Sequence, residues 1–120
     1  MKKILIVDDE PNIVMTLEYT FKKSNYEVFI ARDGQEALDI LKTNFPEIII
    51  LDIMMPMVDG FATLEQIRKD ANLQHTKVMF LSAKNKESDI EKGLALGADA
   101  YMTKPFSIKK VVEKVEELLG

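Results

Sequence analysis

Five short apolar segments recur along the chain, at Ile4–Val7, Val28–Ile30, Ile48–Leu51, Val78–Leu81 and Ala100–Met102. Three of them, "ILIV", "IIIL" and "VMFL", are continuous rather than alternating. Strands covered on both faces read this way, as in a parallel sheet sandwiched between helices. Between the segments, apolar residues return every three or four positions, the period of a helix with one buried face. Pro11 suits a first helical position, and Ile13, Val14, Leu17 and Phe21 follow on one face. Asp33 with Glu36 three residues on predicts a capping box before Ala37, Leu38 and Leu41. A third helix is predicted from Asp59-Gly60, burying Phe61, Leu64 and Ile67. The fourth carries Ile90 and Leu94 and should stop at Gly97. Ser107 caps the fifth, whose stripe is Ile108, Val111, Val112, Val115, Leu118 and Leu119.

The order is strand then helix, five times over. Parallel strands need crossover connections, which are right-handed in nearly all cases. The pattern therefore predicts an α/β fold with an open, doubly wound five-stranded sheet and helices on both faces. In such sheets ligands bind outside the carboxyl ends of the strands.

Asp8, Asp9 and Glu10 follow the first strand and Asp52 the third. Ser82 follows the fourth, and Thr103 and Lys104 follow the fifth. Only the second strand, running into Ala31 and Arg32, offers neither acid nor hydroxyl directly after its apolar run. Taken singly, each residue is unremarkable, since an acid after a strand is often a cap and a lysine is usually surface. Capping does not require Asp8, Asp9 and Asp52 to gather on neighbouring strands. Two carboxylates ~4 Å apart repel by about 1 kcal/mol in water and about 4 kcal/mol at an effective dielectric of 20. Protonation relieves this repulsion, and so does a divalent cation. Hard oxygen donors without His or Cys suit Mg²⁺, which takes one or two carboxylates together with phosphate oxygens. Lys104 and Ser82 would then serve a phosphoryl group by charge and by hydrogen bond. A carboxylate can accept that group. Asp52 is the best placed, on a strand expected to be central.

With 120 residues, the chain is long enough for one domain around a single core. Lys and Arg number 16 against 20 Asp and Glu, a net charge of −4 that argues against non-specific nucleic-acid binding. The absence of cysteine excludes disulfides, thiolate metal sites and thiol nucleophiles. No apolar run approaches the ~20 residues of a membrane span. The start, "MKKILIVDDE", has too short an apolar run for a signal peptide. We read the protein as cytoplasmic, without membrane contact.

These residues resemble the receiver domain of two-component response regulators. The matching pieces are "VDDE" at 7–10, "LDIMMPMVDG" at 51–60, "LSAK" at 81–84 and "GADAYMTKPF" at 97–106. The likeness covers the whole chain, so residues 1–120 are expected to form one receiver domain with no output domain among them. It implies the flavodoxin-like (βα)5 fold with strand order 2-1-3-4-5. It implies that Asp52 accepts a phosphoryl group from a phosphohistidine on a sensor histidine kinase or phosphotransfer protein. Asp9 and Asp52 would bind Mg²⁺ directly with the backbone carbonyl of Met54, and Asp8 would act mainly through a metal-bound water. Lys104 would contact the phosphate, Ser82 would move toward it, and Tyr101 would turn inward. That rearrangement would alter the face built from the fourth helix, fifth strand and fifth helix, where an output domain or partner docks. The domain would be a signalling phosphoacceptor assisting its own phosphorylation and dephosphorylation, rather than an enzyme. The Lys104–Pro105 bond is expected to be cis.

One position departs from the family pattern. Many receivers joined to winged-helix DNA-binding domains carry "G-A-D-D-Y" and pair both acids across a symmetric dimer. Here Ala100 follows Asp99, which leaves a monomer and a different interface on the same face equally open. Rival readings fare worse. "ILIVDDE" looks like the acidic strand of a nucleotide hydrolase, but no glycine begins the G-x-x-x-x-G-K-[ST] loop such an enzyme needs. A phosphatase with an aspartate nucleophile would place a second acid two residues after the first. Glu10 stands there, but Pro11 follows it and no substrate cap is present.

Overall fold

The computed structural model describes residues 1–120. The continuous apolar runs become strands because both their faces are covered. All four residues of β3 (Ile48–Leu51) are buried, as are the last four of β1 (Lys3–Val7). The remaining strands are β2 (Glu27–Ala31), β4 (Lys77–Ser82) and β5 (Ala100–Thr103). All pairings are parallel, in the order β2-β1-β3-β4-β5, as expected. The helices are α1 (Pro11–Lys23), α2 (Gly34–Ile40), α3 (Gly60–Lys69), α4 (Glu87–Ala95) and α5 (Ile108–Leu119). A short 3-10 turn, Ala71–Leu73, lies between α3 and β4.

Strand alternation divides the core in two. Leu5, Val7, Ile49, Leu51, Val78 and Phe80 point to one face and meet residues of α2 and α3, among them Ala37, Phe61, Leu64 and Ile67. Ile4, Ile6, Ile48, Ile50, Met79 and Leu81 point to the other and meet Leu17 and Phe21 of α1 and Val111 and Val115 of α5. Each fully buried Leu, Ile or Phe stabilises the fold by about 1.5–3 kcal/mol relative to its exposed state.

The helix ends follow the local chemistry. Asp33, Asp59 and Ser107 accept bonds from the Glu36, Ala62 and Lys110 amides at 2.8, 2.9 and 3.4 Å. Glu36 is exposed and returns no bond to Asp33, so half of the expected capping box forms. After α4, Gly97 takes φ +109°, with its amide bonded to the Leu94 carbonyl and the Ala98 amide to that of Gly93. This pair of bonds is the left-handed stop anticipated at Gly97. Helix α4 itself packs unlike the sequence pattern. Leu94 is 46% exposed, and the buried residue is its neighbour Gly93. The small residue allows α4 to lie close to Phe80 and Tyr101, which turns Leu94 outward.

Candidate functional site

Strand register puts the functional residues together. Val7 pairs with Leu51, and the next residues, Asp8 and Asp52, emerge side by side at the carboxyl edge of the two central strands. The Asp52 amide donates to the Val7 carbonyl at 2.9 Å, which carries the ladder one step past β3. Ser82 pairs with Thr103, and the Lys104 amide donates to the Ser82 carbonyl at 2.8 Å. Lys104 therefore enters from β5 over the same edge. The Lys104–Pro105 bond is cis, as expected.

Asp8 and Asp52 are each 3% exposed. Carboxylate oxygens of Asp8, Glu10 and Asp52 lie within 4.8 Å of one another. The Lys104 ammonium stands among them, 2.9 Å from Asp8 Oδ2, 3.0 Å from Glu10 Oε1 and 3.4 Å from Asp52 Oδ2. The other oxygens are held by the backbone. Asp8 Oδ1 accepts the Glu10 amide at 2.9 Å, and Asp52 Oδ1 accepts the Ile53 amide at 2.7 Å. With Oδ1 tied down, Oδ2 of Asp52 is the oxygen that faces the cluster.

The electrostatics show two opposed effects. Burial pushes the Asp8 carboxyl above its usual range, with help from the Asp52 charge, although the Glu10 amide and the Lys104 ammonium pull the other way. Burial also works against the charge on Lys104. There it is outweighed by the bonds to Asp8 and Glu10 and by the Asp52 and Asp8 charges, so the ammonium is raised above its ordinary value. Desolvation thus dominates at the acid and charge pairing at the amine.

Asp9 lies outside the carboxylate group. It is exposed and lines an adjoining cleft with Ile53, Met54, Asp59 and Lys84. Glu10, which the sequence reading did not assign to the site, faces Lys104 instead. Its signal was its place in the acidic run after β1. The Met54 side chain is exposed, and its carbonyl accepts no hydrogen bond from the chain. Ser82 is fully buried, with Oγ accepting the Lys84 amide at 3.3 Å. Tyr101 is half-buried against Phe80, with ring centroids 5.6 Å apart, and its hydroxyl donates to the Lys84 carbonyl at 2.6 Å. Ser82 and Tyr101 therefore grip the same short segment after β4.

Asp99, the remaining acid of the "GADAY" stretch, is engaged within the chain. Its Oδ2 accepts from Arg68 at 3.0 Å and from the Val78 amide at 2.9 Å. Arg68 also donates to the carbonyls of Gly97 at 3.0 Å and Thr76 at 2.9 Å.

Comparison with known proteins agrees with this geometry. The family model for the response regulator receiver domain matches residues 4–116. The alkaline phosphatase synthesis transcriptional regulatory protein PhoP of Bacillus subtilis is 45% identical over 118 residues. That alignment takes in 98% of this chain and 48% of the relative, so the chain spans about half the length of the curated relative it matches. The receiver domain of Francisella response regulator 1452 superposes with a TM-score of 0.91 at 35% identity, covering 99% of this chain and 97% of that one. A CheY-like receiver domain protein from Methanospirillum hungatei gives 0.93 at 30% identity, covering 99% and 94%. Fold and likeness agree, and the chain belongs to the response regulator receiver domains, the signalling modules of two-component systems.

Proposed function

We propose that residues 1–120 act as a single receiver domain that takes a phosphoryl group onto Asp52 in a Mg²⁺-dependent reaction. The observation that carries this reading is the meeting of Asp8, Glu10 and Asp52 around one ammonium at the carboxyl edge of the sheet. The donor set fits Mg²⁺: hard carboxylate oxygens, a free Met54 carbonyl in the loop after β3, and no nitrogen or sulfur ligand. Asp52 would hold the ion together with Asp9 and the Met54 carbonyl, whose residues line the cleft beside the Asp8, Glu10 and Asp52 group, and Asp8 would act mainly through a bound water. Bound there, the ion neutralises charge on the acids and on phosphoryl oxygens.

Asp52 Oδ2 attacks phosphorus in line. The bond from phosphorus to the imidazole nitrogen of a partner's phosphohistidine breaks as the bond to Oδ2 forms, and the imidazole leaves. Lys104 then exchanges its carboxylate contacts for a phosphoryl oxygen. Ser82 donates its hydroxyl proton to another, and Tyr101 follows through the Lys84 segment both residues touch. The face of α4, β5 and α5 passes the change to an output domain or partner. The Bacillus relative's role as a transcriptional regulatory protein supports an output at transcription. The donor kinase would meet this domain in the cytoplasm, where the receiver domains of two-component systems take up their phosphoryl groups.

Intact-mass spectrometry tests the proposal. After incubation with Mg²⁺ and a small acyl phosphate, one added phosphoryl group is expected. The label should vanish in Asp52→Asn and when Mg²⁺ is chelated. Stable labelling of Asp52→Asn would place the acceptor elsewhere.

A further inference from the structure

Helix α2 contributes no residue to the carboxylate cluster, yet it presses on the loop that leaves Asp52. Gly34, the first residue of α2, is buried. A Cβ built there would stand 2.3 Å from the Val58 carbonyl oxygen, 2.3 Å from Thr63 Oγ1 and 2.8 Å from Val58 Cβ. Carbon atoms do not approach neighbours so closely, and the carbonyl cannot rotate away like a side-chain tip. Any side chain at position 34 must therefore move the backbone of the loop or of the helix.

The displaced atoms connect to the acceptor through a short chain of contacts. Thr63 is fully buried, and its hydroxyl donates to the Asp59 carbonyl at 2.7 Å. Gly60, next along, donates its amide to the Ile53 carbonyl at 3.0 Å, and the Met55 amide donates to the same carbonyl at 3.1 Å. A Cβ on Gly60 would stand 2.2 Å from the carbonyl oxygen of Asp52 itself. The Ile53 amide holds Asp52 Oδ1 at 2.7 Å. The loop 53–59 is thus clamped between the acceptor strand and α2, with Met57 turned through φ +69° at its apex.

We propose that Gly34 is a positioning residue for the acceptor loop: the missing side chain lets α2 seat against Val58 and Thr63 and so sets where the Met54 carbonyl and Asp52 carboxylate stand. This rests on the phosphoacceptor reading for its consequence but not for its geometry. Gly34 touches neither the phosphoryl group nor the ion.

Hydrogen–deuterium exchange on the metal-free protein tests the geometry alone. In Gly34→Ala the Met55 and Gly60 amides should exchange about tenfold faster, while the Leu5 and Ile6 amides of β1 change much less. Equal acceleration of loop and β1 would mean that Gly34 serves stability only, and would overturn the proposal, as would no acceleration. Calorimetric titration with Mg²⁺ adds the consequence, a several-fold weaker Kd in Gly34→Ala than in Gln35→Ala, an exposed neighbour on the same helix. A Kd unchanged from wild type also overturns it. If Gly34→Ala does not fold, Thr63→Val decides, because it removes the hydroxyl that faces Gly34 and holds the Asp59 carbonyl: selective loop acceleration supports the clamp, and wild-type exchange overturns it. Failure of the wild type to bind Mg²⁺ would count against the metal reading, and the exchange result would stand separately.

Discussion

Replacing Lys104 with Met removes the only cation within the acidic cluster and keeps the length of the side chain. At an effective dielectric of about 20, a unit charge at 2.9 Å from Asp8 gains about 6 kcal/mol and at 3.4 Å from Asp52 about 5 kcal/mol. These attractions are offset by several kcal/mol for desolvating each ion. The Glu10 contact is discounted, because that side chain is 56% exposed and can swing into water. The other side chains are 9% exposed for Lys104 and 4% for both Asp8 and Asp52, so the acids cannot recover solvent when the amine is lost. Removing one partner of a buried pair costs about 3–5 kcal/mol, chiefly through the uncompensated charge left behind. For a domain of this size that lowers Tm by on the order of 10–20 °C. The assay is a thermal melt by far-UV circular dichroism at pH 7.5 with chelator. Lys104→Met/Asp52→Asn, with one acid neutralised as well, should recover much of the loss. A single variant melting within about 3 °C of wild type would refute the reasoning, since the acids would then tolerate burial without the ammonium.

Three further outcomes follow from the same structure. Asp9→Ala should leave metal-free stability within about 0.5 kcal/mol of wild type or slightly raise it, because Asp9 is exposed beside like charges; a loss beyond about 1 kcal/mol in a denaturant melt would assign it to the fold. Arg68→Ala should cost about 2–3 kcal/mol, because it strips charge-assisted bonds from the Gly97 and Thr76 carbonyls and from Asp99; an unchanged urea midpoint would show that the bonds are idle. Tyr26 is raised above its ordinary value near 10 by burial first, then by the Glu116 and Glu47 charges. A folded-state value above the unfolded one means its contribution is complete below pH ~10 and is lost as pH rises through the raised value. Stability measured from pH 9 to 11 should therefore fall more steeply in wild type than in Tyr26→Phe, and parallel curves would contradict this.

Much of the placement of the candidate site is legible in the amino-acid sequence. The continuous runs at 4–7, 48–51 and 78–81 marked strands buried on both faces. Reading the residue after each strand placed Asp8, Asp52, Ser82 and Lys104 at one edge, because a parallel sheet brings all its carboxyl ends together there. The helix stop at Gly97 and the caps at Asp33, Asp59 and Ser107 were equally visible, since each depends on a few consecutive residues.

Periodicity is a local property, and it carries no information on which neighbours a residue will meet across the chain. Three adjacent acids after β1 look alike in one dimension. The turn of the backbone past the last strand pair sends Asp8 and Glu10 toward Lys104 and leaves Asp9 on the adjoining cleft. Leu94 fits a helical stripe and is nonetheless exposed, because Gly93 is the residue that the Phe80–Tyr101 surface admits. The bonds of Arg68 to the α4–β5 turn and the approach of Gly34 to Val58 join segments that meet only once the crossovers have folded back over the sheet. Side-chain chemistry and spacing settled which groups reach the working edge; contact between distant segments settled which of them touch.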